Sequence, residues 1–484
     1  MPEFAAVVLA AGLGTRMKSR LPKVMHEICG KPMITYVLDA VEAAGAAPVF
    51  VVVGYRADLV EKVVGERGRC AVQAEQLGTG HAVMQVEDAL RDYEGIVAVI
   101  AGDAVFLSGE DLMALVRGHE ESKASATVLS AVLDDPSGYG RIVRGAHDEI
   151  VRIVEERDAS PEEAAISEVN SSIYCFDKRD LFDALRDIVP DNAQREYYLT
   201  DVIGVMLKRG WPVRVVRAKD PLLARGVNTR AQLAEAERIF RDRIRRRLMM
   251  SGVTLVDPPS TFVDFDVAIG RDTVIFPFTI IQGKTVIGEG CAIGPFVRMV
   301  NTRVADGASV ENAVVIEATI GPGAAVGPYS YLRPGTVLDE NAKVGTFVEI
   351  KKSVIGKGSK VPHQTYLGDA TVGERVNVGA GTITCNYDGW RKHPTVIEDD
   401  VFIGSNSNLV APVKIGKCAY VAAGSTITRN VPDGALGIAR GLQKDIPGWV
   451  ERRLRLRGRD RREGGPAGAD GRSNGGGTGG SRDE

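Results

Sequence analysis

The chain has 484 residues, too long for one hydrophobic core, so two or more domains are expected. A formal net charge of -3, with 25% charged and 44% apolar residues, is an ordinary soluble balance and gives no sign of a nucleic-acid partner. Six cysteines, at 29, 70, 175, 291, 385 and 418, have neither metal-ligand spacing nor the density of a disulfide scaffold. With no signal-like start and no apolar run of about 18 residues, the expectation is a cytoplasmic protein without membrane insertion.

Residues 1–229 alternate strand and helix patterns. Phe4 to Leu9 is a continuous apolar run, as in a strand buried on both faces. Ile34 to Ala44 has helical spacing, Val49 to Val53 reads as a strand, and Asp58 to Val64 as a second helix. Ile96 to Ile100 is another apolar strand, ending in Ala101-Gly102-Asp103. This alternation predicts a Rossmann-like α/β domain, whose ligands would sit at the carboxyl ends of its strands.

The first strand runs into Leu9-Ala10-Ala11-Gly12-Leu13-Gly14-Thr15-Arg16-Met17. Two glycines let backbone N–H groups approach a phosphate, and Arg16 with Lys23 would neutralise its charge. The loop is neither a Walker A motif nor a dinucleotide fingerprint. Taken alone, it equally suits an ordinary strand–turn–helix.

Residues 230–250 have helical periodicity without Gly or Pro and read as a linker helix. Residues 251–450 read as a second domain, in which, from 269 to 430, an aliphatic residue recurs at every sixth position. The runs are Ile269 to Ile293, Ile320 to Ile350 and Ile397 to Ile427. Neither an isolated helix nor an isolated strand has that period. It belongs to a parallel β-helix of hexapeptide repeats, where each short strand stacks on its counterpart one turn away. The pattern breaks near 298–303 and at 385–396, where polar loops are expected to leave the coil. The Arg- and Gly-rich tail, 451–484, is expected to be disordered.

Gly12-Leu13-Gly14-Thr15-Arg16-Met17, Leu21-Pro22-Lys23 and Gly30-Lys31-Pro32-Met33 closely resemble the sugar-1-phosphate nucleotidyltransferases. Gln73 to Ala82 resembles the nucleobase-binding stretch of the members that form UDP-N-acetylglucosamine. Gly138-Tyr139-Gly140-Arg141, Glu155, Asn170 and Gly226-Val227-Asn228 follow in order. With the hexads behind them, the chain to about residue 450 resembles the bifunctional N-acetylglucosamine-1-phosphate uridylyltransferase/glucosamine-1-phosphate acetyltransferases, the GlmU family. That resemblance implies a nucleotidyltransferase domain followed by a left-handed β-helix, and a homotrimer. It implies that Leu9, Ala10, Ala11, Gly12, Lys23, Gln73, Gly78 and Thr79 bind UTP. Gly140, Glu155 and Asn170 would hold the amino sugar, Asp103 and Asn228 would hold Mg²⁺, and Arg16 and Lys23 would stabilise the developing charge. Two departures stand out: Ala104-Val105 replaces the usual x-Pro after Asp103, and Leu13 replaces a frequent Lys.

In the hexad region, His363 has the side chain best suited to deprotonate an attacking amine at neutral pH. Read without the family, a lone histidine is more often a surface or core residue with no chemical role. The resemblance makes it the general base, and Glu349, two residues before Lys351, is expected to orient it. It assigns Arg333, Lys351, Tyr366 and Asn377 to glucosamine 1-phosphate. Ala380, Asn386, Tyr387, Ser405, Ala423 and Arg440 would line an acetyl-CoA groove shared between subunits. The alternatives are a nucleotidyltransferase whose β-helix only scaffolds it, and a scaffold with two decayed sites. The full set around His363 argues against the first, and retained Asp103 and Asn228 against the second.

Overall fold

The computed structural model describes residues 2–463. The N-terminal sheet runs Val213–Arg217, Ala126–Val132, Glu168–Asp177, Ile96–Ala101, Phe4–Ala10, Val49–Val53, Arg69–Val72. Its central strand explains its own composition. Ala6 and Val8 enter one core cluster and Ala5 and Val7 the other, so no position along the strand is free to be polar. Glu168–Asp177 runs antiparallel to both neighbours, so the sheet is mixed. A hairpin, Arg141–Arg144 with Ile150–Val154, folds out beside it.

The linker is one helix, Arg230–Met250, started by a reciprocal cap between Thr229 and Gln232. Ala236, Phe240, Ile244 and Leu248 are buried at every fourth position and form its inner stripe. Phe240 packs at a tilt against Tyr36 and stacks on Phe106, with centroids 4.5 and 5.3 Å apart. Lys31 points into this junction, with its ammonium 4.0 Å from the Phe265 ring centroid. Gly30-Lys31-Pro32-Met33 therefore joins the domains.

The hexads close into coils. Ile269 pairs with Ile287, Ile275 with Ile293, Ile397 with Ile415 and Leu409 with Ile427, each eighteen residues on. Three sides of six residues make one turn of a left-handed parallel β-helix. The aliphatic residues of the three runs stack as the core, and nearly all of them are buried. A second column lies two positions before many of them. It holds small buried residues, including Thr279, Thr285, Thr336 and Ser407, whose hydroxyls donate to corner carbonyls. The hydroxyl satisfies a carbonyl that the corner turns away from the ladder.

Three expectations need correction. No loop leaves the coil at 298–303: Arg298–Val300 and Arg303–Val304 stay in their sheets, and the turns merely shorten, as Val304 pairing with Ile320 shows. At 385–396 the ends remain in strands and only the segment between them projects. The start of the tail is also ordered as a helix, Trp449–Glu463. Arg, Leu and Glu favour helix, although its side chains through Arg457 are all exposed. The expectation for 464–484 lies outside the described residues.

Candidate active sites

The first site is a cleft of about 530 Å³ at the carboxyl ends of the central strands. It brings together every N-terminal residue singled out above: Leu9 to Gly12, Arg16, Lys23, Gln73, Gly78, Thr79, Asp103, Gly140, Glu155, Asn170 and Asn228. Gly14 has φ +59°, and a Cβ there would lie 2.7 Å from the Lys23 Cβ. A glycine is thus what lets the Lys23 turn close over the loop. Lys23 Nζ donates to Asp103 Oδ2 at 2.7 Å and to Asn228 Oδ1 at 3.0 Å. Arg16 donates to the same Asn228 oxygen at 2.9 Å. Gly226 leaves room for this cluster, since a Cβ there would come 2.9 Å from Asp103 Oδ2. Gln73, 3% exposed, donates to the carbonyl of Gly78 and fixes the loop before Thr79.

Across the cleft, Asn170 Nδ2 donates to the Tyr174 hydroxyl at 2.6 Å, and the Asn170 N–H donates to the Gly140 carbonyl. Glu155 accepts from the Thr200 hydroxyl at 3.0 Å. Burial, and then the carboxylates of Asp201, Asp158 and Glu196, push the Glu155 carboxyl above its ordinary range. Sequence reasoning missed Thr200 and Glu196 and gave Tyr139 no role of its own, yet all three line the cleft. Thr200 sits in a helix start far from the loop motifs, and only folding carries it to Glu155.

The second site lies on the β-helix. His363 is exposed and pairs in register with Thr346. The registers on either side of it place Ala380 one coil on from His363, then Ser405, then Ala423. Arg440 closes this column by donating to the Ala423 carbonyl at 2.8 Å. At one strand spacing per coil, the column from His363 to Ala423 is about 14 Å long. The predicted groove residues thus form one ladder that starts at the histidine.

Arg333 and Lys351 stand on successive coils, beside Tyr366. Glu349 accepts from Arg333 at 2.7 Å. It lies in register with Tyr366, so it orients Arg333 and not His363, three residues along the strand. Lys392, also missed from sequence, places its ammonium against that of Lys351 and draws the Lys351 amine below its usual range. Two ammonium groups held together prepare a seat for an anion. Asn377 stays apart: it pairs with Lys360, beyond His363 from Tyr366, so one chain does not bring it to this seat. Asn386 is buried at the base of the projecting loop, and Tyr387 is exposed on it.

Among the described residues, no group of three or more His, Cys, Asp or Glu is arranged to hold a metal by itself. No described helix is long and apolar enough to cross a membrane.

The nucleotidyl transferase family matches residues 5–220, and the bacterial transferase hexapeptide family matches 266–301 and 394–429. Fold and sites thus define a transferase with two heads, one for nucleotidyl transfer and one built on hexapeptide repeats. The Bifunctional protein GlmU of Heliobacterium modesticaldum is 54% identical over 92% of this chain and 97% of its own. That of Pelotomaculum thermopropionicum is 54% identical over 93% and 99%, and that of Caldanaerobacter subterraneus 50% over 94% and 99%. The chain belongs to the GlmU family of bifunctional proteins.

Proposed function

We propose that the cleft and the β-helix face divide between them the two transfers that make UDP-N-acetylglucosamine. The β-helix acetylates glucosamine 1-phosphate from acetyl-CoA. The cleft then joins N-acetylglucosamine 1-phosphate to UTP and releases pyrophosphate. The observation that carries this reading is the coexistence in one chain of two separate constellations, Lys23–Asp103–Asn228 and the His363 ladder with its cationic seat.

In the cleft, Leu9 to Gly12, Gln73, Gly78 and Thr79 hold UTP, and Gly140, Glu155 and Asn170 hold the amino sugar. A phosphate oxygen of the sugar attacks the α-phosphorus, and the bond to the β-phosphate bridge breaks in line. Arg16 and Lys23 steady the charge that shifts to the leaving pyrophosphate. Asp103 and Asn228 already turn two hard oxygens toward a single cation, the Lys23 ammonium. With phosphate oxygens added, that donor set suits Mg²⁺. The ion bound there would neutralise charge on those phosphate oxygens.

On the β-helix, Arg333, Lys351 and Lys392 take the sugar phosphate. His363 removes a proton from the amine, the nitrogen attacks the thioester carbon, the carbon–sulfur bond breaks, and coenzyme A leaves as the thiol by taking that proton from His363. Ala380, Ser405, Ala423 and Arg440 carry the coenzyme along the ladder, with Asn386 and Tyr387 beside it. The exposed ladder and displaced Asn377 favour a homotrimer in which a neighbouring subunit covers the groove. Corner aromatics support this. Phe278 stacks on Phe296 and Tyr329 on Phe347, and all four are more than half exposed. Phosphorylated, water-soluble substrates favour a cytoplasmic reaction.

The test supplies glucosamine 1-phosphate, acetyl-CoA, UTP and Mg²⁺ and reads products by mass. The native chain should yield UDP-N-acetylglucosamine. His363→Ala should stop before acetylation yet still use supplied N-acetylglucosamine 1-phosphate. If the native chain also needs the acetylated sugar supplied, the β-helix is only a scaffold.

A further inference from the structure

The segment from Asn386 to His393 leaves the coil and returns. Its base is fixed. Asn386, 5% exposed, donates to Asp369 Oδ2 at 2.6 Å, and its carbonyl accepts from the His393 N–H at 2.8 Å. Tyr387 and Lys392 face each other across the two arms. At the tip, Asp388 Oδ1 accepts from the N–H groups of Trp390 and Arg391 at 2.8 and 2.7 Å. Its other oxygen, Oδ2, lies 2.7 Å from His393 Nε2. One carboxylate therefore ties the turn to the returning arm on either side of Lys392. Packing does not hold this tip, because Trp390 is 88% exposed. The polar contacts must do so: Asp369, which holds Asn386, donates its own N–H to the Lys351 carbonyl at 3.0 Å, so the returning arm carries Lys392 alongside Lys351, and two like charges repel. A free lysine on a loose loop would swing away from such a partner.

We infer that Asp388 and His393 are positioning residues for acetyl transfer, forming a clasp that sets Lys392 against Lys351 before the sugar phosphate arrives. This rests on the reading of Arg333, Lys351 and Lys392 as the phosphate seat. Asp388 and His393 do not touch the reacting atoms. They remove the cost of ordering the loop when the anion binds, which lowers KM without touching the proton transfer.

The test is a double-mutant cycle in the full chain, with glucosamine 1-phosphate varied at saturating acetyl-CoA. Asp388→Ala should raise KM for glucosamine 1-phosphate about tenfold, as for loss of one charge-assisted hydrogen bond. The kcat should stay within about twofold, since uniform binding is lost. Lys392→Ala should raise KM at least as much, and adding Asp388→Ala to it should change nothing further. His393→Gln keeps an N–H donor near the Nε2 position and should retain the native KM, whereas His393→Phe should not. Uridylyl transfer by the same preparations reports an intact chain. Additive effects of Asp388→Ala and Lys392→Ala would overturn the clasp, as would equal KM values for the two His393 variants. If Lys392→Ala itself leaves KM unchanged, the phosphate seat is wrong and the clasp falls with it.

Discussion

The two candidate sites of this chain are built on opposite principles. The N-terminal cleft is concave, and its polar groups satisfy one another inside a single chain, as Lys23 does with Asp103 and Asn228. The β-helix site is a ladder on an outer face, where His363, Ser405, Ala423 and Arg440 are exposed and Asn377 lies apart from the seat it was expected to join. An α/β sheet gathers loops at the ends of its strands, so one fold can close a pocket. A solenoid stacks side chains in register and produces a surface, which needs a second surface to become a pocket. The difference predicts that the two heads work independently and that the second depends on assembly.

The largest effects come from the chemical groups themselves. His363→Ala should lower acetyl transfer by about 10²–10⁴, the range for a lost general base, and leave uridylyl transfer unchanged. Lys23→Ala should lower uridylyl transfer by about 10²–10³, as for a lost charge-stabilising donor, with acetyl transfer unchanged. Coupled assays of each half on both variants measure this. Cross-inhibition of either half would show that the sites communicate and that the comparison is too simple.

Next in size is assembly. Phe347→Glu places a charge in the exposed aromatic corner, next to Tyr329 at a centroid distance of 5.5 Å. Sedimentation should then show smaller species. Acetyl transfer per chain should fall about tenfold or more when a shared groove is lost, while uridylyl transfer holds. Full acetyl transfer by isolated single chains would remove the argument for a shared groove.

The legibility of each region follows its physics. The β-helix was readable because one aliphatic position per side must stack, so its period is written into the chain at Ile275, Ile281, Ile287 and Ile293. The column of Thr and Ser two positions earlier carries the same period, but small polar residues also fill loops and do not advertise burial. The cleft was readable where a local motif makes the site, as around Gly12 and Gly14. It was opaque where folding joins distant segments, as Thr200 to Glu155. Glu349 was misread because sequence proximity to Lys351 says nothing about register, and register hands its carboxylate to Arg333. The helix at Trp449–Glu463 was masked by Gly-rich composition that begins only after it.

The smallest effect separates the two regions by acid. The N-terminal domain buries charge and the β-helix does not: among the described residues after 251, the buried polar side chains are Thr and Ser with one Asn. Glu168 is 7% exposed and meets Arg144, Arg217 and Ser130. Burial alone would raise its carboxyl, but those hydrogen bonds and the Arg144 charge outweigh it and hold the group down at about 2. A depressed carboxylate stabilises the fold above its unfolded value of 4.5, and that stability is lost as pH falls from there toward about 2. His119 adds to this in the same direction. Burial lowers it to about 4, so the unfolded state gains protons first as pH drops below 6.5. Glu168→Gln should therefore cost about 2 kcal/mol at neutral pH, with the difference from the native chain shrinking below pH 4. Hydrogen exchange at about pH 4 should open the Ala126–Val132 and Glu168–Asp177 strands while the coils from Ile275 to Ile355 stay protected. Equal exchange in both regions would mean that the Phe240 junction couples them into one unfolding unit, and acid would then no longer distinguish the two heads.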